Sequence, residues 1–184
     1  MLRAIKYSAK TGSKMSFVLR HKIRTSANLL SQVSPSRLTE ELLKIINSGN
    51  AYSIISEALD TDLYMSLQPA ATGIMYENKK YEVSYMENMK KLDQLIKSDP
   101  EVRLGQKLIF MIYDFICSLT DWKKELENHT PYIELYSKTW RECRNFVLPM
   151  NPQRTELEFA IKTVLNELGV PVKTKKKKQK PQSK

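Results

Sequence analysis

The sequence is poor in the residues that build covalent or metal-stabilised folds. Its 184 residues include two cysteines, Cys117 and Cys143, and two histidines, His21 and His129. Two thiols are too few for a disulfide framework or a cysteine-based zinc site, and two isolated histidines do not suggest a metal cluster. We therefore expect reduced cysteines, no structural metal and no cofactor.

Long apolar segments are also missing. Spanning a bilayer takes roughly 18 consecutive apolar residues, and the most apolar segment, residues 108–119, is interrupted by Asp114. The first residues are basic, but no uncharged apolar stretch follows them as it would in a signal peptide. These observations predict a cytoplasmic protein without a membrane partner.

Glycine is scarce, with five residues in the chain, and apolar residues recur at helical spacing. We therefore predict an all-α fold in which short turns join many helices. The predicted helices cover residues 2–11, 17–30, 35–48, 51–59, 63–68, 83–96, 103–119, 121–127, 132–142 and 156–168. The apolar helix at 103–119 is expected at the centre. Residues 69–76, which contain glycine, threonine and paired alanine, are interpreted as an internal boundary.

The spacing of residues also predicts which side chains face the core and which lie on the surface. Core-facing residues of the first two helices are predicted to be Leu2, Ile5, Tyr7, Ala9, Val18, Ile23, Ala27 and Leu30. A second set of apolar residues has core spacing, with a stacking platform for bases as the alternative: Met75, Met86, Met89, Met111, Tyr76, Tyr81 and Tyr85. Arg37 and Glu41, four residues apart, are expected to form a surface pair. His21 is expected on the surface.

Acidic residues are absent from the first 39 positions, which carry eight lysines and arginines. Residues 173–184 carry seven lysines and no acid, so residues 40–172 have a net charge of −5 within a total of +10. A basic excess confined to the two ends suggests a polyanion as partner. Beyond residue 169 the sequence is mainly Lys, Gln, Pro and Ser, which predicts a disordered tail.

Three groups of cations are candidates for contacts with phosphates. Arg3, Lys6, Lys10, Arg20 and Arg24 lie at helical spacing in the N-terminal segment; Arg141, Arg144 and Arg154 accompany the aromatic residues of 140–146; Lys175, Lys176, Lys177 and Lys178 belong to the tail. Cations follow a nucleic-acid backbone, and aromatic rings among them can stack on bases. The alternatives are a solvated helix face, a plain turn between helices, and a tail that serves solubility or anchors the protein on a ribosome or membrane surface.

Two motifs carry a resemblance to a known family. The segment Leu2-Arg3-Ala4-Ile5-Lys6-Tyr7 resembles the start of the neck in bacterial poly(A) polymerases and CCA-adding tRNA nucleotidyltransferases, where the pattern is Leu-Arg-Ala-x-Arg-Phe. Residues 33–44, Val-Ser-Pro-Ser-Arg-Leu-Thr-Glu-Glu-Leu-Leu-Lys, are similar to the neck helix of that family, with Ser36 where an acid is common. The similarity is specific over residues 1–69 and weaker beyond them.

The resemblance implies a division into a neck-like RNA-binding helical region (1–69), a helical body or arm (70–169) and a disordered basic tail (170–184). It favours poly(A) polymerases over CCA-adding enzymes, because residues 146–165 look like the RNA-binding arm of the former and lysine-rich ends are common there. The implied function is to hold RNA 3′ ends, of mRNA or tRNA, for polyadenylation and processing. An RNA helicase or a separate catalytic head would be a partner.

The family carries its catalytic motifs in a head before the neck, and this chain is expected to lack them. These motifs are a Gly-Ser strand, an Asp-x-Asp pair for two magnesium ions, Arg-Arg-Asp and Glu-Asp-x-x-Arg, and none of them is expected in this chain. Because two-metal nucleotidyl transfer needs fixed carboxylates and a base-reading pair, we expect no activity from this chain alone. Two alternatives stay open: a helical protein-interaction module that docks on an RNA helicase or decay enzyme, and a truncated fragment of a CCA-adding tRNA nucleotidyltransferase.

Overall fold

The computed structural model describes residues 1–170; the tail lysines at 175–178 lie outside this range. The described part is built from helices and contains no strand, which confirms the all-α prediction. The elements are α1 (Leu2–Thr11), α2 (Phe17–Thr25), a 3₁₀ helix (Ala27–Gln32), α3 (Pro35–Ile46), α4 (Ala51–Asp60), α5 (Tyr64–Leu67), α6 (Pro69–Glu77), α7 (Lys79–Ser98), α8 (Leu104–Ser118), α9 (Trp122–Glu127), α10 (Tyr132–Phe146) and α11 (Arg154–Glu167). None of the helices within residues 1–170 is long and apolar enough to cross a bilayer.

The first helices follow the sequence signals closely except at one break. Helix α1 ends where predicted, because Gly12 adopts the left-handed conformation (φ 68°) that glycine tolerates best. The single helix predicted over 17–30 is wrong: α2 stops at Thr25, and a separate 3₁₀ helix follows. The Thr25 hydroxyl donates to the His21 carbonyl at 3.0 Å, a side-chain bond that competes with continued helix formation.

Burial along these helices also corrects the predicted apolar faces. Leu2, Ile5, Ile23, Ala27 and Leu30 are buried as predicted. Tyr7 and Val18, which were assigned to the same faces, are exposed instead, while the small polar Ser8 is buried. Ser8 is accommodated because its hydroxyl donates to the Ser13 carbonyl.

Residues 69–77, for which no helix was predicted, form α6. Pro69 occupies the first turn of this helix, a position where its missing N–H costs nothing, rather than ending the preceding one. Ala71, Thr72 and Met75 are buried, and α6 packs against α5 and α7. The composition that suggested a boundary therefore belongs to a helix, and the division of the chain at residue 69 stays a prediction.

The core is centred on α8, as expected from its apolar sequence, with α7, α10 and α11 packed around it. Helices α8 and α11 approach closely at Gly105, where a Cβ atom would lie 2.7 Å from the Phe159 ring. Glu156 fixes this contact by accepting hydrogen bonds from the Gly105 N–H and from Arg103, the latter at 2.6 Å. A side chain at position 105 would therefore push the two helices apart.

Helix α4 links this core to the N-terminal helices by packing on both α1 and α7. The buried carboxylate of Asp93 in α7 accepts the N–H groups of Ala51 and Tyr52, at 2.6 and 3.0 Å, and so caps the start of α4.

Most of the methionines and tyrosines with core spacing are buried: Met75, Met89, Met111, Tyr81 and Tyr85. The Tyr85 hydroxyl bonds to that of Tyr64 at 2.7 Å. The core interpretation is confirmed for these residues, whereas Tyr76 is exposed.

Candidate nucleic-acid interface

The basic face of α1 lies against α3 and is partly neutralised there. Glu41 accepts hydrogen bonds from Lys6 and from Lys44, the latter at 2.9 Å, and these residues line a pocket of about 570 Å³ together with Arg3. Partial burial alone would raise the pKa of Glu41, but the hydrogen bonds and charges of Lys44 and Lys6 together lower it below its usual value. The pocket keeps an excess of positive charge.

These contacts correct one prediction and add one residue. Glu41 pairs with Lys6 and Lys44 rather than with Arg37, which was expected to be its partner. Lys44 was not singled out from the sequence, although its position three residues after Glu41 places both on one helix face. Arg3 is exposed and has no carboxylate within 4.0 Å among residues 1–170.

Helix α2 is held in place by two arginines that were predicted to contact RNA. The Arg20 guanidinium lies 3.2 Å from Glu57 and 3.4 Å from Asp60, both on α4. Arg24 donates to Asp62 at 2.8 Å, and Asp62 also accepts the Tyr76 hydroxyl at 3.2 Å. Both arginines therefore stabilise the position of α2, and nearby carboxylates neutralise much of their charge.

The remaining N-terminal cations are unpaired. Within residues 1–170, no carboxylate lies within 4.0 Å of Arg3, Lys10, Lys14, Lys22 or Arg37, and all five are exposed. Of the five N-terminal residues predicted to contact RNA, the structure thus leaves Arg3 and Lys10 free and pairs Lys6, Arg20 and Arg24 with acids.

The expectation that the chain lacks an Asp-x-Asp pair is wrong, because Asp60-Thr61-Asp62 has this pattern. It follows the neck-like motif and sits at the end of α4, where Asp60 pairs with Arg20 and Asp62 with Arg24. Among residues 1–170, no group of three or more His, Cys, Asp or Glu side chains is arranged to hold a metal ion.

A second basic and aromatic surface is formed by α10 and α11. Tyr132, Tyr136 and Trp140 recur at i, i+4 and i+8 on α10, and the two tyrosine rings stack at 5.7 Å. On α11, Arg154 lies over the Trp140 ring and Lys162 over the Tyr136 ring, each at 5.5 Å. The rings and the cations thus face each other in two parallel rows.

Glu158 joins the two cations of α11. It accepts from Arg154 at 2.8 Å and lies 3.5 Å from Lys162. Burial, together with the charge of Glu158, raises the pKa of Tyr136 to about 12. Lys162 was not predicted as a site residue, although Arg154, Glu158 and Lys162 follow one another at intervals of four residues on one helix face.

The structure also locates Arg141 and Arg144, which were predicted to contact RNA from the α10 segment. Residues 140–146 form the last turns of α10 and not a turn between helices. Arg141 is exposed and lies 3.4 Å from Glu142, while Arg144 has no carboxylate within 4.0 Å among residues 1–170. Arg144 lies one helical turn after Trp140, so the two share a face.

Comparison with known proteins connects this architecture to RNA. Residues 14–75 match a family described as "Probable RNA and SrmB- binding site of polymerase A". The chain is similar to Poly(A) polymerase I of Salmonella typhimurium, with 30% identity over 112 residues that make up 60% of this chain and 24% of the relative. It is also similar to Poly(A) polymerase I of Escherichia coli O6:H1, with 35% identity over 78 residues, 42% of this chain and 17% of the relative.

The chain spans about a quarter of the length of the relatives that it matches. No solved structure matches it. The matched residues 14–75 run from the segment before α2 to α6, so they include Lys14, Lys22 and Arg37 as well as the Arg20 and Arg24 contacts. The resemblance to the RNA-binding region of poly(A) polymerases, stated from the sequence motifs, is confirmed.

Proposed function

From the premise that residues 14–75 match the RNA-binding region of poly(A) polymerases, we propose that this chain holds the 3′ end of an RNA for polyadenylation or processing. One observation carries the proposal: the matched region contains exposed cations that have no carboxylate within 4.0 Å among residues 1–170. Lys14, Lys22 and Arg37 lie within the match, and Arg3 and Lys10 extend the surface along α1.

Unpaired cations suit this role because each phosphate that they neutralise releases counterions from the nucleic acid. The pocket between α1 and α3 adds a concave position in which Arg3, Lys6 and Lys44 approach a phosphate around a single carboxylate, Glu41. Arg20 and Arg24 contribute by linking α2 to Glu57 and Asp60 of α4 and to Asp62 just beyond it, rather than by binding the phosphates themselves.

The α10–α11 surface is proposed as a second RNA contact. Trp140 offers an aromatic ring with Arg154 over it and Arg144 one helical turn away, and the exposed Arg141 adds a further cation on α10, a combination that favours single strands. Lys175, Lys176, Lys177 and Lys178 would add a third electrostatic contribution from the tail.

The proposal is tested by titrating the full chain with labelled oligo(A), a mixed-sequence RNA and a tRNA over a series of salt concentrations. We expect all three to bind, with a logarithmic salt slope of about −0.7 for each phosphate contacted on a single strand. Preference for a free 3′ end is measured with the same oligo(A) carrying a 3′ hairpin. Absence of binding to any of the RNAs at low salt would reject an RNA role.

The catalytic setting is also a proposal. We infer that a catalytic head, an RNA helicase, or both act with this chain, as the family resemblance implies. The matched family description itself names SrmB beside RNA as what the region binds. For the 184-residue chain alone, incubation with RNA, magnesium and ATP or CTP is expected to give no nucleotide incorporation. Incorporation by the pure chain would contradict this and assign the chemistry to residues present here.

A further inference from the structure

Tyr7 is a large aromatic residue that α1 leaves outside the core, with 69% of its surface exposed. The helix buries Leu2, Ile5 and Ser8 and packs on α4. Because Tyr7 follows Ile5 by two residues, their side chains point about 160° apart around a helix of 3.6 residues per turn. The exposure of the ring therefore follows from regular helical geometry and not from a local disruption of the helix.

Tyr7 shares its side of α1 with two cations. Arg3 precedes it by four residues and Lys10 follows it by three, which places the three side chains within about 60° of one another around the helix. Both cations are exposed, and neither has a carboxylate within 4.0 Å among residues 1–170. We call Arg3, Tyr7 and Lys10 the α1 face.

The Tyr7 side chain has no partner in the described part of the fold. Other aromatic side chains at the surface are engaged: Arg154 lies over the Trp140 ring, and the Tyr76 hydroxyl donates to Asp62. Among residues 1–170, no aromatic ring or cation lies over the Tyr7 ring, and its hydroxyl makes no hydrogen bond. The ring is therefore available to a ligand.

An exposed aromatic ring between two free cations suits the chemistry of single-stranded RNA. Bases of any identity stack on an aromatic ring, and the phosphates on either side of a base carry the negative charge that complements Arg3 and Lys10. A duplex offers the same phosphates but keeps its bases stacked on one another. The α1 face can therefore distinguish a single strand from a duplex, which cations alone do not.

A protein partner fits the α1 face less well. Stable protein interfaces bury roughly 800 Å² on each side around an apolar centre, whereas the neighbours of Tyr7 on this side of α1 are Arg3, Lys10 and the exposed Thr11. One ring does not make such a centre. A second copy of the chain would also bring like charges together.

We propose that Tyr7 stacks on an unpaired base of the bound RNA while Arg3 and Lys10 contact the phosphates on either side of that base, so that α1 selects single-stranded over duplex RNA. The proposal rests on the RNA role proposed above and adds a residue that responds to an exposed base rather than to charge. Tyr7 lies outside residues 14–75, so this contact extends the RNA surface beyond the match to the RNA-binding family.

The experiment titrates the full chain with three labelled RNAs of equal length: oligo(A), an abasic strand and a duplex. Tyr7→Leu keeps an apolar side chain but removes the aromatic ring, whereas Tyr7→Phe keeps the ring and removes the hydroxyl. Val83→Ala, at a position that is 62% exposed on α7, controls for the loss of an apolar surface residue elsewhere. Because both positions are exposed, circular dichroism spectra and melting are expected to stay unchanged.

Fluorescence anisotropy should show that Tyr7→Leu binds oligo(A) at least about fivefold more weakly than the original chain, the loss expected for one stacked base. Tyr7→Phe and Val83→Ala should bind oligo(A) within about twofold of the original chain. All variants should bind the abasic strand and the duplex as the original chain does, because these ligands present phosphates without an unpaired base.

Undiminished binding of oligo(A) by Tyr7→Leu would overturn the proposal and leave the ring to a protein partner. An equal loss on the abasic strand would also overturn it, because that strand has no base to stack. A loss in Tyr7→Phe as large as that in Tyr7→Leu would assign the contact to the hydroxyl instead of the ring. In these three cases the original chain still binds RNA and the RNA role stands, whereas absence of binding to any of the three RNAs would reject the RNA role and the stacking together.

Discussion

The N-terminal surface of α1 and α2 and the C-terminal surface of α10 and α11 both combine cations with large apolar side chains, but they hold them in opposite ways. In the N-terminal surface, Arg20 and Arg24 pair with acids of other segments, 37 to 40 residues away, while Phe17 is left bare. In the C-terminal surface, Arg154 and Lys162 share Glu158, an acid of their own helix, and lie over aromatic rings of α10. Cations that are paired within the fold are not available to a polyanion. The number of basic residues in the sequence therefore overstates the charge that RNA can meet.

The largest expected effect separates the free cations of the N-terminal surface from an equal number of lysines elsewhere in the fold. Replacing Lys10, Lys14, Lys22 and Arg37 by glutamine should lower affinity for oligo(A) by about 10- to 100-fold and make the salt slope shallower by about 2–3, because these side chains are free to meet phosphates. The matched control removes the same charge at Lys79, Lys90, Lys97 and Lys123. If control and test variants lose equal affinity, binding reflects net charge and the distinction fails.

The next effect concerns the aromatic row of α10. Trp140→Ala should cost about 1–2 kcal/mol in the free energy of unfolding, since the half-buried indole packs under Arg154 and is replaced by a gap. Urea denaturation measures the change, and Tyr7→Ala, whose ring is 69% exposed, serves as the control with an expected change within about 0.5 kcal/mol. A loss no larger than that of the control would mean that the ring does not hold α10 and α11 together.

A smaller effect is expected for the arginines that hold α2. Arg20→Ala and Arg24→Ala should each cost about 0.2–1 kcal/mol, because their ion pairs are partly solvated. Hydrogen exchange should show faster opening of the α2 amides and no change in α10 and α11. Arg141→Ala, which removes an exposed pair with the adjacent Glu142, is the control. Uniform acceleration along the chain would show that the arginines stabilise the whole fold rather than α2.

The smallest effect is the pH dependence of the stability that Glu41 and Glu158 contribute, one in each surface. Glu41 and Glu158 both have a pKa below the usual 4.5, although partial burial opposes the shift. Folding therefore favours their charged forms, and the stabilisation is present above pH 4.5 and lost as the pH falls through the lowered pKa values. Carboxyl NMR titration should place both midpoints below 4.5, and Glu41→Gln should flatten the fall of stability in this acidic range. A midpoint at or above 4.5 for Glu41 would contradict its pairing with Lys6 and Lys44.

Local signals in the sequence predicted a large part of the fold. The end of α1 at Gly12 and the start of α3 at Pro35 follow from residues that act within one turn. The break after Thr25 and the helix that begins at Pro69 were missed, because threonine and proline are compatible with either outcome and neighbouring packing decides between them.

The candidate site was predictable in composition but not in pairing. The acid-free N-terminal segment is evident in the sequence, yet Glu57, Asp60 and Asp62 cannot be assigned to Arg20 and Arg24 without knowing that α2 lies on α4. Likewise, Val18 was predicted to share a buried stripe with Ile23, although a separation of five residues places the two side chains about 140° apart around a helix. The exposure of Val18 could not be predicted without knowing that Ile23 is the buried residue of α2.

That shallow attachment of α2 has an evolutionary consequence. Because Ile23 and two arginines hold the helix, most of its positions can change without a loss of stability that selection would remove. The exposed apolar side chains of α2, Phe17, Val18 and Leu19, are therefore open to substitution, whereas α4 and α8 are constrained by packing. Such a helix can accept a change of surface chemistry while the packed helices keep theirs.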